Sequence, residues 1–182
     1  VINDYDMTYH SNCNSSNPKT VYGIALDLDY KGFFGGVFFQ GAGGCSVNLM
    51  SKATNFMPFN QGVNASSARS EALNRWTYSD PYNQDVLYPR MHSESFSYNL
   101  KQSTWWYRNA SFIRFKNIEF GYQFNHHQLR SVGLENLRFY VQGTNLITWD
   151  DVKYWDPELG NANSGAQYPI SRSWKFGVEI TF

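Results

Sequence analysis

Long runs in which apolar residues recur at every second position constrain this chain more than any other feature. Over residues 21–30, one face carries Tyr22, Ile24, Leu26, Leu28 and Tyr30, and the other Val21, Gly23, Ala25, Asp27 and Asp29. Side chains alternate between faces on a strand but recur every three to four residues on a helix, so this run predicts a strand with one apolar face. Lys31-Gly32 reads as a two-residue hairpin turn. Beyond it Phe33, Gly35, Val37, Phe39 and Gly41 continue the face of Tyr30, with Phe34, Gly36, Phe38 and Gln40 opposite. Alternation resumes at Ala110, with Ile113 and Phe115 on one face and Arg114 and Lys116 on the other. It then slips by one position, and Ile118, Phe120 and Tyr122 become the apolar set. A one-residue slip at Lys116-Asn117 predicts a β-bulge. Leu137, Phe139, Val141 and Gly143 oppose Arg138, Tyr140, Gln142 and Thr144. The final run sets Trp174, Phe176, Val178, Ile180 and Phe182 against Ser173, Lys175, Gly177, Glu179 and Thr181.

The expected fold is therefore all-β, with about five long antiparallel strands. A polar stretch with little periodicity, residues 43–107, holds one expected short helix near 67–76. A turn is expected over 125–133, with one helical turn at 127–131, and a second polar loop over 149–171. Loops this long in a compact domain tend to be functional. Short connections on one side and long ones on the other is the layout of a transmembrane β-barrel. A soluble sandwich shows the same alternation, so alternation alone leaves both architectures open. Tyr22 and Tyr30, and Trp174 and Phe182, bracket their apolar faces as aromatic girdles do, which favours the barrel.

Composition narrows the partners. Aromatic residues make up 18% of the 182 residues and charged residues only 16%, yet the mean hydropathy is −0.52. Many aromatics in a polar chain suit strands with one apolar face. No stretch approaches the roughly 18 apolar residues that a helical membrane span needs. Fifteen Lys plus Arg balance fifteen Asp plus Glu. This gives no electrostatic case for nucleic acid or for a polybasic membrane patch. The chain opens on Val1 in an acidic, loop-like stretch, which points to a piece of something longer. Cys13 and Cys45 are too few for a disulfide framework and lack metal-ligand spacing. Two unrelated thiols and one bridge both remain open.

The last strand carries a more specific pattern. Lys175, Gly177, Ile180 and Phe182 fit the outer-membrane β-signal, polar-x-Gly-x-x-apolar-x-aromatic, which barrel-insertion machinery reads. Longer blocks occur in order along the chain. They are Asn17-Pro18-Lys19-Thr20-Val21-Tyr22-Gly23, Tyr30-Lys31-Gly32-Phe33 and Val37-Phe38-Phe39-Gln40-Gly41. Next come residues 110–118 with Gly121-Tyr122, then residues 137–146 with Trp149. Asp156-Pro157-Glu158, Tyr168-Pro169 and the final strand close the series. This text resembles the SusC/RagA-type TonB-dependent transporters of Bacteroidetes outer membranes. The resemblance implies the C-terminal part of a barrel of 22 strands, with the plug and TonB box outside these residues. It implies TonB-powered import of an oligosaccharide or peptide, and a SusD-like surface lipoprotein over the extracellular loops. It also places residues 1–19, 43–109 and 149–170 outside the cell and the turns at 31–32 and 125–135 in the periplasm. Cys13 and Cys45 would then both lie where a disulfide is chemically allowed. Physics agrees on incompleteness: five strands cannot close a barrel, and an open edge in lipid costs several kcal/mol per unpaired backbone group. The remaining strands are expected to precede Val1.

Several residues invite chemistry. Residues 1–6 resemble the second half of an Asp-rich calcium loop, with Asp6 as the last carboxylate ligand and Val1 offering a carbonyl. The bland alternative is a solvated acidic loop. His126-His127 has no partner carboxylate and reads as a solvated pair. Ser, His and Asp all occur, but no nucleophile-elbow context does, so a hydrolase is unsupported. Aromatics in the long loops, among them Trp76, Tyr78, Tyr82, Trp105, Trp106 and Trp155, can stack on sugars or pack on peptides, or simply pack among themselves. Arg114, Arg138, Tyr140, Gln142, Trp149 and Trp155 are the substrate-path residues to examine. The first four could equally be wall residues bonded to a plug. The competing class is a soluble β-sandwich that binds glycan through exposed aromatics.

Overall fold

The computed structural model describes residues 16–52, 70–92, 97–99, 101–124, 129, 133–159 and 167–182. Five strands form one antiparallel sheet: β1 (Thr20–Tyr30), β2 (Phe33–Gly43), β5 (Phe112–Gln123), β6 (Asn136–Asp150) and β7 (Ser173–Thr181), in the spatial order β1-β2-β5-β6-β7. Two three-residue strands, β3 (Ser46–Asn48) and β4 (Tyr107–Asn109), pair separately. The sheet is open, with β1 and β7 at its edges. The all-β, five-stranded expectation holds.

Register makes one face apolar from edge to edge. Tyr30 pairs with Phe33, Leu26 with Val37 and Ile24 with Phe39. Val37 pairs with Ile118 and Phe39 with Phe115. Phe120 pairs with Val141, and Val141 with Phe176. No charged residue interrupts this surface, and it is open: Ile24 is 66% exposed and Phe176 79%. Tyr22 and Tyr30 are eight residues apart, about 27 Å along a strand. At a tilt of about 40° this spans about 21 Å, close to the roughly 25 Å apolar band of an outer-membrane barrel. At the turn end Phe33 lies edge-on to Tyr122, Tyr122 to Phe124, and Phe124 to Phe139, at centroid separations of 4.7, 4.9 and 6.0 Å. The β1–β2 turn has positive φ at both Lys31 (50°) and Gly32 (91°), the backbone that matches the twist of a two-residue hairpin.

The bulge falls where the phase slips. Phe38 pairs with Asn117 but Phe39 with Phe115, so Lys116 is an extra residue. A second irregularity lies opposite, on β6, between Thr144 (paired with Asn117) and Ile147 (paired with Phe115). There Asn145 adopts φ 54°. Both devices keep Phe115, Ile118, Gly143 and Ile147 on the apolar face.

The main departures lie in the long connections. The segment between β2 and β5 folds around its own core: Cys45, Val47, Leu49, Leu87, Tyr88, Trp106, Ala110 and Val152 are buried together, with Trp105 and Trp155 packed against them. Of the helix expected near 67–76, the described residues 70–76 show one 3-10 turn over Ser70–Leu73. Trp76 instead donates its backbone N–H to the Tyr88 carbonyl. The last strand before the second loop runs to Asp150, so Trp149 is a strand residue. It pairs with Ile113 on the apolar face and is half-exposed. Cys45 is a free buried thiol. Cys13, Asp6, His126-His127 and most of the 125–133 turn lie outside the described residues.

Candidate functional site: the polar wall beneath the outer loops

The face opposite the apolar one carries the chemistry. Cross-strand register sets Gln142 between Glu119 and Lys175, and Tyr140 between Gly121 and Gly177. Arg138 sits in register between Gln123 and Glu179 and turns its side chain to Glu119. Its Nη2 donates to Glu119 Oε1, and its guanidinium lies 3.9 Å from the Phe34 ring centroid and 5.7 Å from that of Tyr140. Each group is thereby held by its neighbours. The Arg138–Glu119 pair is about a third exposed on each side, so solvent screens it and its contribution is small.

Arg114 differs. Only 2% of its side chain is exposed. Nη2 lies 2.6 Å from Asp156 Oδ1, and Nη1 lies 3.1 Å from Glu158 Oε2. Lys116, the extra residue of the bulge, reaches Glu158 Oε1 at 3.2 Å. Two cations thus meet two carboxylates. Asp156 also accepts backbone N–H bonds from Glu158 at 3.0 Å and Ile170 at 3.3 Å, which closes the neck of the second loop. A charge as buried as Arg114 is tolerated only when paired and hydrogen-bonded, which these carboxylates provide.

The six residues proposed for the substrate path therefore separate. Arg114, Arg138, Tyr140 and Gln142 share the polar face, with Arg114 covered by the loop it binds. Trp149 stands on the opposite, apolar face. Trp155 packs into the loop core. Of the loop aromatics, Tyr88 and Trp106 are buried. Tyr78, Tyr82 and Trp76 stay near the surface, where Trp76 meets Tyr78 edge-on at 5.0 Å and Arg90 lies 4.7 Å over the Tyr78 ring. Sequence reading missed Asp156 and Glu158 as the partners of Arg114, which lie about forty residues away (|i−j| = 42 for Asp156). In the last strand, Lys175 and Gly177 point to the polar face and Ile180 to the apolar one, as their pairing with Gln142, Tyr140 and Leu137 fixes. No group of three or more metal-ligating side chains gathers among the described residues, and no helix of the described residues is long and apolar enough to cross a membrane.

An open sheet with a continuous apolar face, girdled by aromatics and backed by a charged face, has the layout of a segment of a large β-barrel. Comparison with known proteins makes the class specific. The chain is 28% identical over 177 residues to TonB-dependent receptor P3 of Formosa agariphila, and 28% identical over 176 residues to TonB-dependent receptor P26 of the same organism. Each match covers 91% of this chain but only 16% and 17% of the relatives' lengths. The fold superposes on the RagAB peptide importer in its open-open state with a TM-score of 0.68 and 26% identity, over 93% of this chain and 18% of that one. The closed-closed state gives the same TM-score at 23% identity. No protein-family model matches the chain. In sequence and fold the chain is similar to a segment of a SusC/RagA-type TonB-dependent transporter, and it spans less than a fifth of the length of the relatives it matches.

Proposed function

We propose that these residues form wall and outer loops of an outer-membrane transporter that imports a peptide or an oligosaccharide with energy delivered through TonB. The carrying observation is the apolar surface that runs unbroken across five strands while every charge lies behind it. The similarity to a peptide importer supports cargo of that kind, and the exposed Tyr78 and Tyr82, with the half-buried Trp76 beside Tyr78, suit peptide or sugar rings equally. In this reading the segment is the C-terminal part of a longer polypeptide whose other parts hold the plug and the TonB contact. A SusD-like surface lipoprotein covers the outer loops. Lys175, Gly177, Ile180 and Phe182 are the assembly signal, and a Ca²⁺ loop ends at Asp6. The protein performs no bond chemistry on its cargo: the polar wall and loops bind and pass it.

The reading is tested by deleting the gene and measuring uptake of fluorescent oligopeptides and oligosaccharides. It requires loss of one class, restored by the gene, with a lipoprotein co-purifying from the outer membrane in detergent. Unchanged uptake of both classes would contradict it. A soluble sandwich would cover the apolar face with a second sheet, and among the described residues the second sheet is two strands of three residues.

A further inference from the structure

The segment after β6 touches two bodies at once. On one side Asp156 and Glu158 hold Arg114 and Lys116 of the wall. On the other, Val152 is buried in the loop core and Trp155 packs against it, beside residues such as Leu49, Tyr88 and Trp106. Among the described residues that core has little regular structure, its strand pairing being a three-residue ladder, far short of what stands independently in water. Chain continuity ties that core to the ends of β2, β5 and β6, since Cys45, Ala110 and Val152 each lie two residues from one of those strands, and the buried Arg114 pair adds a charged anchor from the segment after β6 to the wall.

We propose that residues 151–159 are a strap that couples the outer loops to the polar wall, with Arg114 as its positioning residue. A displacement of the outer loops, by a covering partner or by cargo, then reaches the bulge of β5, and the reverse holds. The two faces of the strap differ in kind: the loop face is mainly apolar, with one exposed bond from Asn109 Nδ2 to Asp151 Oδ2, whereas the wall face is a set of directional charge-assisted bonds. The strap therefore keeps its loop contacts when it parts from the wall, and the wall contact adds to the chain connections at β2 and β5 in setting the loops' place. This goes beyond the import reading and does not depend on the cargo.

Hydrogen exchange of the whole transporter in detergent, read by mass spectrometry, tests it. Asp156→Asn should speed exchange at least tenfold over residues 45–49, 87–88 and 106–110 as well as over 152–159. Asp156→Glu should restore slow exchange. Glu119→Gln, which frees Arg138 instead, should leave those segments unchanged. Faster exchange confined to 152–159 and 168–172 would overturn the proposal, as would an equal effect from Glu119→Gln. If Asp156→Asn does not assemble, Val152→Ala reads the strap from the other side. It should speed exchange at the Glu158 and Ile170 amides that Asp156 binds, and an effect limited to the loop core would overturn the proposal. Uptake is not the readout, so failure here leaves the import reading standing.

Discussion

The ring of Tyr140 on β6 lies directly over Gly177 on β7, in the space a side chain at position 177 would occupy: a Cβ built there collides with Tyr140 Cζ. The two are register partners. The glycine of the assembly pattern is thus also a notch that seats an aromatic ring from the neighbouring strand. Gly177→Ala should destabilise the barrel by about 1–3 kcal/mol, the usual cost of overpacking. The penalty should largely vanish in a Tyr140→Ala background, where the ring is absent. Barrel unfolding followed by heat-modified gel mobility would measure the cycle. An undiminished penalty in the double variant would mean that Gly177 is needed for backbone reasons alone.

The two faces of β6 should respond oppositely to charge. Val141 pairs with Phe120 and Phe176 in the middle of the apolar surface, whereas its neighbour Gln142 pairs with Glu119 and Lys175. Val141→Arg should cost about 2–4 kcal/mol of folding free energy in lipid, the range for a cation near the bilayer midplane. Gln142→Arg should stay within about 1 kcal/mol, because attraction to Glu119 on one side offsets repulsion from Lys175 on the other. Urea titration of the protein refolded into vesicles gives both values.

Much of this layout was legible in the sequence, and the exceptions share physical causes. The bulge at Lys116 was visible because one extra residue flips parity. The irregularity at Asn145-Leu146 was not, because β6 carries two extra residues relative to β2 and parity survives: Leu137, Val141, Ile147 and Trp149 all remain on one face. Trp149 read as loop because polar Thr144-Asn145 interrupt the run before Ile147 and Trp149 resume it. The loop core left no periodic trace because its members come from short, irregular stretches far apart in the chain. The partners of Arg114 lie beyond the reach of any local pattern.

Arg114 and Lys116 should not be equivalent. Both bind Glu158, but Arg114 is 2% exposed and Lys116 30%. Arg114→Met leaves Asp156 and Glu158 without their main counter-charge and should cost about 3–5 kcal/mol. Lys116→Met should cost under about 1 kcal/mol, as solvent screens that pair. Denaturant unfolding followed by tryptophan fluorescence would compare them. Equal costs would contradict the burial difference.

Burial pushes the Cys45 thiol above its ordinary value of 9.0, more than its backbone hydrogen bond lowers it. The folded form therefore binds the proton more tightly than the unfolded form. Its contribution to the loop core is fully present below pH 9.0 and is lost as pH rises through the folded-state value. The loop core should be alkali-labile, Cys45→Ser should reduce that lability, and maleimide should label Cys45 only in denaturant. Rapid labelling of the native protein at pH 7 would contradict the buried thiol.

The central claim is that this sheet is barrel wall, with lipid on one face and a polar interior on the other. Its most direct test is nitroxide scanning of residues 137–142, one label at a time, in the whole transporter reconstituted in vesicles with its native cysteines replaced. Accessibility to oxygen, which concentrates in lipid, is compared with accessibility to an aqueous nickel chelate. The structure predicts a period of two: Leu137, Phe139 and Val141 favour oxygen, and Arg138, Tyr140 and Gln142 do not. A profile without alternation, or one in which all six positions favour the nickel chelate, would contradict it.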